Sequence, residues 1–301
     1  MERSANTLKT YNSCIKKVRA VMEQTITDFD FLVLDASKVC MTLDKMPGLD
    51  NSKKAYITSI KYFLKDCPEV FTVSDEMMKR IPEALVLYDT KFKEYQKKIG
   101  EKEKLQVLSE SEKEKFLSWA DVLALESKFN KTSDDKSHRM DYLIYCLYTM
   151  MPPLRADFAP MRVMKKNPTK DDCNYVVIRK INPVFVLNEY KTKRTFGKQT
   201  IPIPPNLMSV IRSYCEKFPS DYLLTKESND PMSGENLSQR VIRVFEKLCG
   251  KSVGISMLRH AYITDKRSGK ELSLVDKEAL AKSMLHSSLT NELYKRIDAE
   301  V

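Results

Sequence analysis

Glycine is scarce in this chain, with seven among 301 residues. Turn-rich β architectures and glycine-rich loops draw on more, so the shortage favours a mainly helical protein. No GxxxxGK[ST] segment occurs, and ATP use has no support. The three histidines, at 138, 260 and 286, lack the paired spacing of a zinc site. The seven cysteines stand at 14, 40, 67, 146, 173, 215 and 249. Their number is odd and no CxxC occurs, so they read as free thiols in a reducing compartment, not as a disulfide framework. No apolar run is long enough to span a bilayer, and no basic start leads into an apolar segment, which sets aside a membrane anchor and a signal peptide. The expectation is an intracellular protein with no metal and no cofactor. The cytoplasm of a prokaryote, a virus-infected cell and a nucleus all satisfy it.

Charge, by contrast, is plentiful. The chain carries 51 basic and 41 acidic residues, a net charge of +10. An excess of that size points to an anionic partner, with nucleic acid first. The surplus is unevenly placed. Residues 1–104 hold 19 basic and 16 acidic side chains, whereas residues 155–212 hold 12 and 4. Most of the excess therefore sits in less than a fifth of the length.

The length suits two domains. Residues 1–104 read as a helical module. Thr7 caps a helix with Tyr11, Ile15, Val18 and Met22 on one face, and residues 28–41 read as a turn and a short helix. Ser52 caps a third helix with Tyr56, Ile57, Ile60, Phe63 and Leu64 apolar. A fourth runs from Asp75, is interrupted near Pro82 and resumes through Leu85, Tyr88, Phe92 and Tyr95. Residues 97–104 (KKIGEKEK) lack periodicity and read as an exposed linker.

Residues 105–301 read as a second, mixed domain. Ser109 or Ser111 opens a helix through Phe116, Leu117, Trp119 and Leu123. Residues 140–151 (MDYLIYCLYTMM) read as a buried helix, stopped by Pro152-Pro153. Residues 175–178, 184–187 and 200–203 are β-rich runs bounded by turn residues. Helices follow over 206–218, over 235–249 behind a Ser233 cap, from Ser256, and from Ser273 after a basic turn at 266–270. The fold class expected is mainly α with a small antiparallel β-sheet (α+β).

Three stretches carry chemistry. Arg155 emerges directly from the end of the buried helix, in Leu154-Arg155-Ala156-Asp157-Phe158. Residues 189–199 (EYKTKRTFGKQ) form a basic hairpin with Lys191, Lys193, Arg194 and Lys198, a form that suits insertion against a nucleic-acid backbone. Residues 255–294 begin with a Leu258-Arg259-His260 triplet, include His286, and end in Tyr294. Arg259 and His286 are candidates to bind one phosphate, and Tyr294 to attack it. A tyrosine hydroxyl, with a pKa near ~10, is a poor nucleophile at neutral pH. It becomes useful when cations stabilise the phenolate and the charge that develops on phosphorus.

Taken in order, these parts resemble the tyrosine recombinase (phage integrase) family over roughly residues 105–296. Leu154-Arg155 resembles the family's first arginine, and Lys191 in Tyr-Lys-Thr its hairpin lysine, with Lys193 competing for that role. Leu258-Arg259-His260 resembles the second arginine motif, and Leu285-His286-Ser287-Ser288 is similar to a Gly-His-Ser-Ser segment. Tyr294 falls where the family has its nucleophile. The resemblance implies a two-domain DNA clamp, with a core-binding domain at 1–104 and a catalytic domain at 105–301. It implies a site-specific recombinase that cleaves and rejoins double-stranded DNA through a 3′-phosphotyrosine, as a homotetramer on DNA and a monomer when free. Two features depart from the pattern. Ser256 stands three before Arg259, where His or Lys is common, and a hydroxyl is no substitute for a cationic acid–base. His260, His286 or water is then left to take the tyrosine proton. The acidic residue expected three after the first arginine is Phe158, with Asp157 one place earlier. A type IB topoisomerase, and a DNA-binding protein of recombinase descent that has lost catalysis, are the alternatives.

Overall fold

The computed structural model describes residues 5–23, 29–71, 74–166, 168, 172–269, 272–287 and 292–296. Its chain divides into two units, Met1–Leu105 and Gln106–Val301. Ser288 and Lys270, both within stretches singled out in the sequence, lie outside the described residues. No helix among the described residues is long and apolar enough to cross a membrane.

The first unit is helical: α1 (Ala5–Val21), α2 (Phe31–Leu34), α3 (Ala36–Lys45), α4 (Asp50–Asp66) and α5 (Asp75–Leu105). Its core joins Ile15 and Val18 of the first helix, and Met22 just past its end, to Leu32, Val39, Ile57, Ile60 and Tyr88. The Tyr88 hydroxyl donates to the Leu32 carbonyl at 2.9 Å and so keeps its polar tip satisfied inside the core. Three expectations fail here. Helix α4 begins at Asp50 behind Leu49, ahead of Ser52. Helix α5 runs straight through Pro82, which lies on the second turn of a 31-residue helix, where one lost N–H is outweighed by the packing of Met77, Ile81 and Ala84. Residues 97–104 are the last turns of that helix and no linker. Ile99 is buried there, and a single apolar anchor among charges is too weak a periodic signal to read.

The second unit opens with α6 (Glu110–Lys113) and α7 (Trp119–Ala124), then α8 (Lys136–Thr149). Where one helix was expected through Phe116 and Leu123, two short ones form. Ser109 closes a capping box with Glu112, Ser118 starts a new cap by accepting from the Asp121 N–H, and Leu123 is exposed. Helix α8 is the centre of the unit, buried from Arg139 to Tyr148. Asp135 caps it by accepting from the His138 N–H at 2.8 Å. Its buried Asp141 is satisfied by Arg240 at 2.5 Å and Lys247 at 3.2 Å.

Four strands follow: β1 (Met161–Met164), β2 (Asn174–Val177), β3 (Val184–Leu187) and β4 (Gln199–Pro202), in that spatial order. The β2–β3 and β3–β4 pairs are antiparallel, but β1 lies parallel to β2, so the sheet is mixed and not antiparallel. The first strand escaped the sequence reading because Met161–Met164 is short and alternates only weakly. Val176, Phe185 and Leu187 face the main core, while Tyr175, Val177, Val184 and Val186 form a second small cluster. The segment between β3 and β4 contains a single helical turn, α9 (Lys193–Phe196). The remainder is α10 (Pro205–Lys217), α11 (Gly234–Cys249), α12 (Ile255–Arg267) and α13 (Leu274–Ser283). Ser233 caps α11 in a box with Asn236, Gly250 ends it at φ 73°, and Ser273 caps α13.

Candidate active site

Each candidate side chain is delivered by the end of a helix or by a turn. Met150 closes α8, and Pro152 and Pro153 forbid its continuation. The Tyr148 hydroxyl donates to the Arg155 carbonyl at 3.0 Å, which folds the chain back after the prolines. Arg155 then extends its Nη1 to the Leu285 carbonyl at 3.3 Å. No ion pair joins Arg155 to Asp157 among the described residues, although Asp157 follows two places later and is buried.

Arg259 lies in the first turns of α12 and is almost wholly buried, at 1% exposure. Its Nη1 donates to the Pro153 carbonyl at 2.6 Å and its Nη2 to the Met284 carbonyl at 3.2 Å. Those carbonyls belong to the exit of α8 and the end of α13, so one guanidinium ties three helices together. Arg259 Nη2 also donates to His286 Nε2. Leu285, between Met284 and His286, takes φ 53°. A left-handed residue at that point reverses the chain after α13 and aims the histidine back at α12. For a leucine this conformation costs on the order of 1–2 kcal/mol, which the burial of its side chain offsets.

Tyr294 joins the same cluster. Its ring lies 4.7 Å from the His286 ring and stacks at 4.3 Å on His260, centroid to centroid. The Arg259 guanidinium carbon is 5.7 Å from the Tyr294 centroid. His260 Nδ1 donates to the Tyr294 carbonyl at 2.7 Å. Arg259, His260 and His286 therefore all border the Tyr294 ring, with Arg155 at the edge.

The electrostatics follow from burial. Desolvation, then the charges of Arg259 and Arg155 and His260, push His286 down to about 3. Burial first, then Arg296, lowers His260 to about 4, although the Tyr294 carbonyl and Glu112 oppose it. Burial also lowers Arg259 to about 10, with the Tyr294 phenol opposing and Arg155 assisting, and it stays charged at neutral pH. Neutral His286 accepts from Arg259 at Nε2, so its proton sits on Nδ1. That nitrogen is buried with no hydrogen-bond partner among the described residues, as are Arg259 Nε and Asp157 Oδ2. Buried N–H donors without a protein acceptor, beside cationic side chains, have the chemistry to receive an anion.

The hairpin lysines differ. Thr192 Oγ1 donates to the Leu285 carbonyl at 3.3 Å, which brings residues 191–193 to the turn that carries His286. Lys193 is taken up by an ion pair with Glu189. Lys191 is exposed and has no such partner among the described residues. Ser256 is also exposed, one turn before Arg259, and no hydrogen bond ties it to the cluster. The sequence reading overlooked Glu112, Arg267, Glu292 and Arg296, which surround Tyr294. Only an acid and a base flanking the tyrosine by two residues hinted at them.

A cavity of about 570 Å³ lined by Lys180, Pro183, Val184, Pro202, Met208 and Arg212 lies at the opposite end of β3 and β4 from residues 188–198. A reacting phosphate that belongs to a long polymer calls for a shallow cationic recess, not an enclosed pocket.

Among solved structures, the chain is similar to XerA recombinase, with 14% identity, 98% of this chain and 94% of that chain covered, and a TM-score of 0.41. It is also similar to the Tn1549 transposon integrase in complex with a circular intermediate DNA. There the identity is 12%, the coverage 98% of this chain and 90% of that chain, and the TM-score 0.54. The second likeness carries the argument and is one of fold. No protein-family model matches the chain, and no curated protein matches it in sequence. The resemblance to tyrosine recombinases drawn from the motifs thus holds at the level of the fold.

Proposed function

We propose that this protein is a tyrosine recombinase that cuts and rejoins duplex DNA through a covalent 3′-phosphotyrosyl link at Tyr294. One observation carries the reading: the Tyr294 ring lies 4.7 Å from the His286 ring and 5.7 Å from the Arg259 guanidinium, and Arg259 Nε and His286 Nδ1 are buried donors without partners among the described residues. Arg155 and Arg259 hold the non-bridging oxygens of the scissile phosphate, and guanidinium geometry suits paired donation. His286 donates to the same group. The Tyr294 oxygen attacks phosphorus in line and the 5′-oxygen leaves with a proton from Lys191, a general-acid role open to an exposed ammonium. The phenol proton passes to a neighbouring base. Ser256 is ill-suited, and the Nε2 lone pairs of His286 and His260 are already taken by Arg259 and Arg296, so water is the acceptor this reading assigns. The new ester keeps the energy of the broken bond, so rejoining needs no ATP.

The concentration of basic residues between 155 and 212 supports double-stranded DNA as the partner. The Tn1549 integrase was solved with DNA, in agreement with that partner. Exchange between two duplexes requires four copies, which makes a tetramer on DNA and a monomer off it the expected states.

The test is a nicked suicide substrate whose cut end diffuses away. The wild type accumulates a covalent adduct that maps to Tyr294, and Tyr294→Phe binds the same DNA without forming it. An adduct that persists in the phenylalanine variant removes Tyr294 from the role. Binding with no adduct in the wild type leaves a DNA-binding protein that has lost catalysis, the reading that Ser256 favours.

A further inference from the structure

We propose that Gln106 and Glu112, at the start of the second unit, are positioning residues that latch the Tyr294 segment over the phosphate site; the proposal rests on the reading of Tyr294 as nucleophile. Gln106 is the residue at which the chain passes from α5 into the second unit, and its backbone is left-handed, at φ 54°. Its side-chain amide donates to the Glu292 carbonyl at 2.5 Å. Six residues later, Glu112 lies 3.6 Å from Arg296. Glu112 is itself held by its capping box, accepting from the Ser109 N–H at 2.9 Å and the Ser109 hydroxyl at 2.8 Å. It is therefore a fixed anchor and not a swinging side chain.

The segment between these anchors is short. Arg296 Nη2 donates to His260 Nε2 at 3.3 Å, and His260 Nδ1 donates to the Tyr294 carbonyl at 2.7 Å. Arg296 N–H donates to Thr264 Oγ1 at 3.1 Å. On the other side Arg267 pairs with Glu292 at 2.5 Å. Glu112 thus acts on the phenol through a chain of three contacts, Glu112 to Arg296 to His260 to Tyr294. The two arginines are 10% and 12% exposed at the side chain, so these pairs are better shielded than surface pairs. The latch is nonetheless incomplete. Arg296 Nε and Arg267 Nη1 are buried without partners, and each unpaired donor lowers the cost of release. The arrangement fits a nucleophile that docks and undocks. It also ties docking to the stretch that joins the two units.

The experiment pairs two readouts on the full chain. Hydrogen exchange of residues 292–296 without DNA reports docking. Single-turnover cleavage of the suicide substrate reports its consequence. Glu112→Gln keeps the cap but removes the charge. It is expected to speed exchange at 292–296 by about tenfold and to slow cleavage by about tenfold, with DNA affinity unchanged. Arg296→Glu is expected to be worse on both counts, and Arg296→Lys, which keeps a donor and a positive charge facing Glu112 and His260, to retain most of the docking and the rate. Rescue by the conservative variant is what a merely structural defect would not give. Equal exchange in the wild type and Glu112→Gln overturns the latch, and faster exchange with undiminished cleavage overturns its positioning role. If the wild type forms no adduct, the catalytic reading and the positioning role fall together, and exchange still decides whether the latch exists.

Discussion

The helical first unit and the cluster around Arg259 spend the same residue types in opposite ways. In the first unit cations meet carboxylates. Lys91 lies 2.8 Å from Asp44 and 2.7 Å from Glu94, and Lys102 lies 2.7 Å from Asp50. Around Arg259 the partners are carbonyls of Pro153 and Met284 and a neutral imidazole, and Arg155 reaches the Leu285 carbonyl. A carboxylate orients a cation and cancels it. A carbonyl orients a cation and leaves its full charge available to a third party. The first arrangement cancels charge within the fold, and the second leaves it uncancelled, as the proposed phosphate site requires.

The largest expected effect tests that contrast directly. Arg259→Ala should slow single-turnover cleavage by roughly 10²–10³-fold, the usual consequence of removing one donor to developing charge. DNA affinity should change only a few-fold, as measured by titration. Lys102→Ala, which removes a paired cation of the first unit, should leave cleavage unaltered. Arg259→Lys separates geometry from charge, since an ammonium cannot reach both carbonyls and a phosphate at once. Equal losses of binding and cleavage in Arg259→Ala would reduce the arginine to a backbone contact and erase the distinction between the two regions.

Next in size is the choice between hairpin lysines. Lys193 is already paired with Glu189, as the first-unit lysines are with their acids, whereas Lys191 is not. Lys191→Ala should cost roughly 10²-fold in cleavage, the scale of general-acid catalysis, and Lys193→Ala much less. A substrate with sulfur at the 5′-bridging position leaves without a proton. It should restore the rate of the lysine variant that lost the acid, and of that one alone. Rescue of Lys193→Ala in place of Lys191→Ala would reverse the assignment.

Acid lability provides the third comparison. All three histidines belong to the second unit. An unfolded histidine takes its proton near 6.5, while folded His286 and His260 hold out to about 3 and about 4. Between those values the unfolded chain binds more protons, so stability is whole above pH 6.5 and declines as pH falls toward 4. In the first unit, Asp50 and Asp89 are held below the usual 3.8 by hydrogen bonds from Lys102 and Lys61. Their contribution is lost only as pH falls below that value. Scanning calorimetry should show the second unit weakening first, by several degrees between pH 6.5 and 4.5, with His286→Asn flattening the decline. An identical pH profile for that variant would contradict the buried, neutral state of His286.

What could be read from the sequence divides along a similar line. Helices with a single apolar stripe, such as α1 and α11, were legible because burial writes a period into the residues. Arg155, Arg259, His286 and Tyr294 could be picked out as candidates, since each follows a chain-stopping signal or sits in a recognisable short motif, and the fold brings them near one another. The parallel strand β1 was not legible, because four residues carry too little pattern and partner choice is a tertiary matter. Nor was the helical character of residues 97–104, where charge masks the one buried apolar residue, Ile99. The contacts of Glu112 and Arg296 were beyond reach, because two residues 184 places apart in the chain leave no local trace of their meeting.

The smallest expected effect asks whether the first unit's ionic network serves stability alone. Tyr95 is buried and its hydroxyl donates to Asp44 at 2.7 Å, while Asp44 also accepts from Lys91. Tyr95→Phe keeps the ring and removes one hydrogen bond to a charged group, a loss of about 1.5–3 kcal/mol at most and less here because Asp44 is partly exposed. Urea unfolding should therefore shift by about 1 kcal/mol toward instability, with the slope of the transition unchanged. Suicide-substrate cleavage at a temperature where both proteins are folded should be the same. A cleavage defect in Tyr95→Phe without a stability defect would mean that the paired charges around Asp44 also face DNA. Carboxylate pairing would then no longer mark a residue as purely structural.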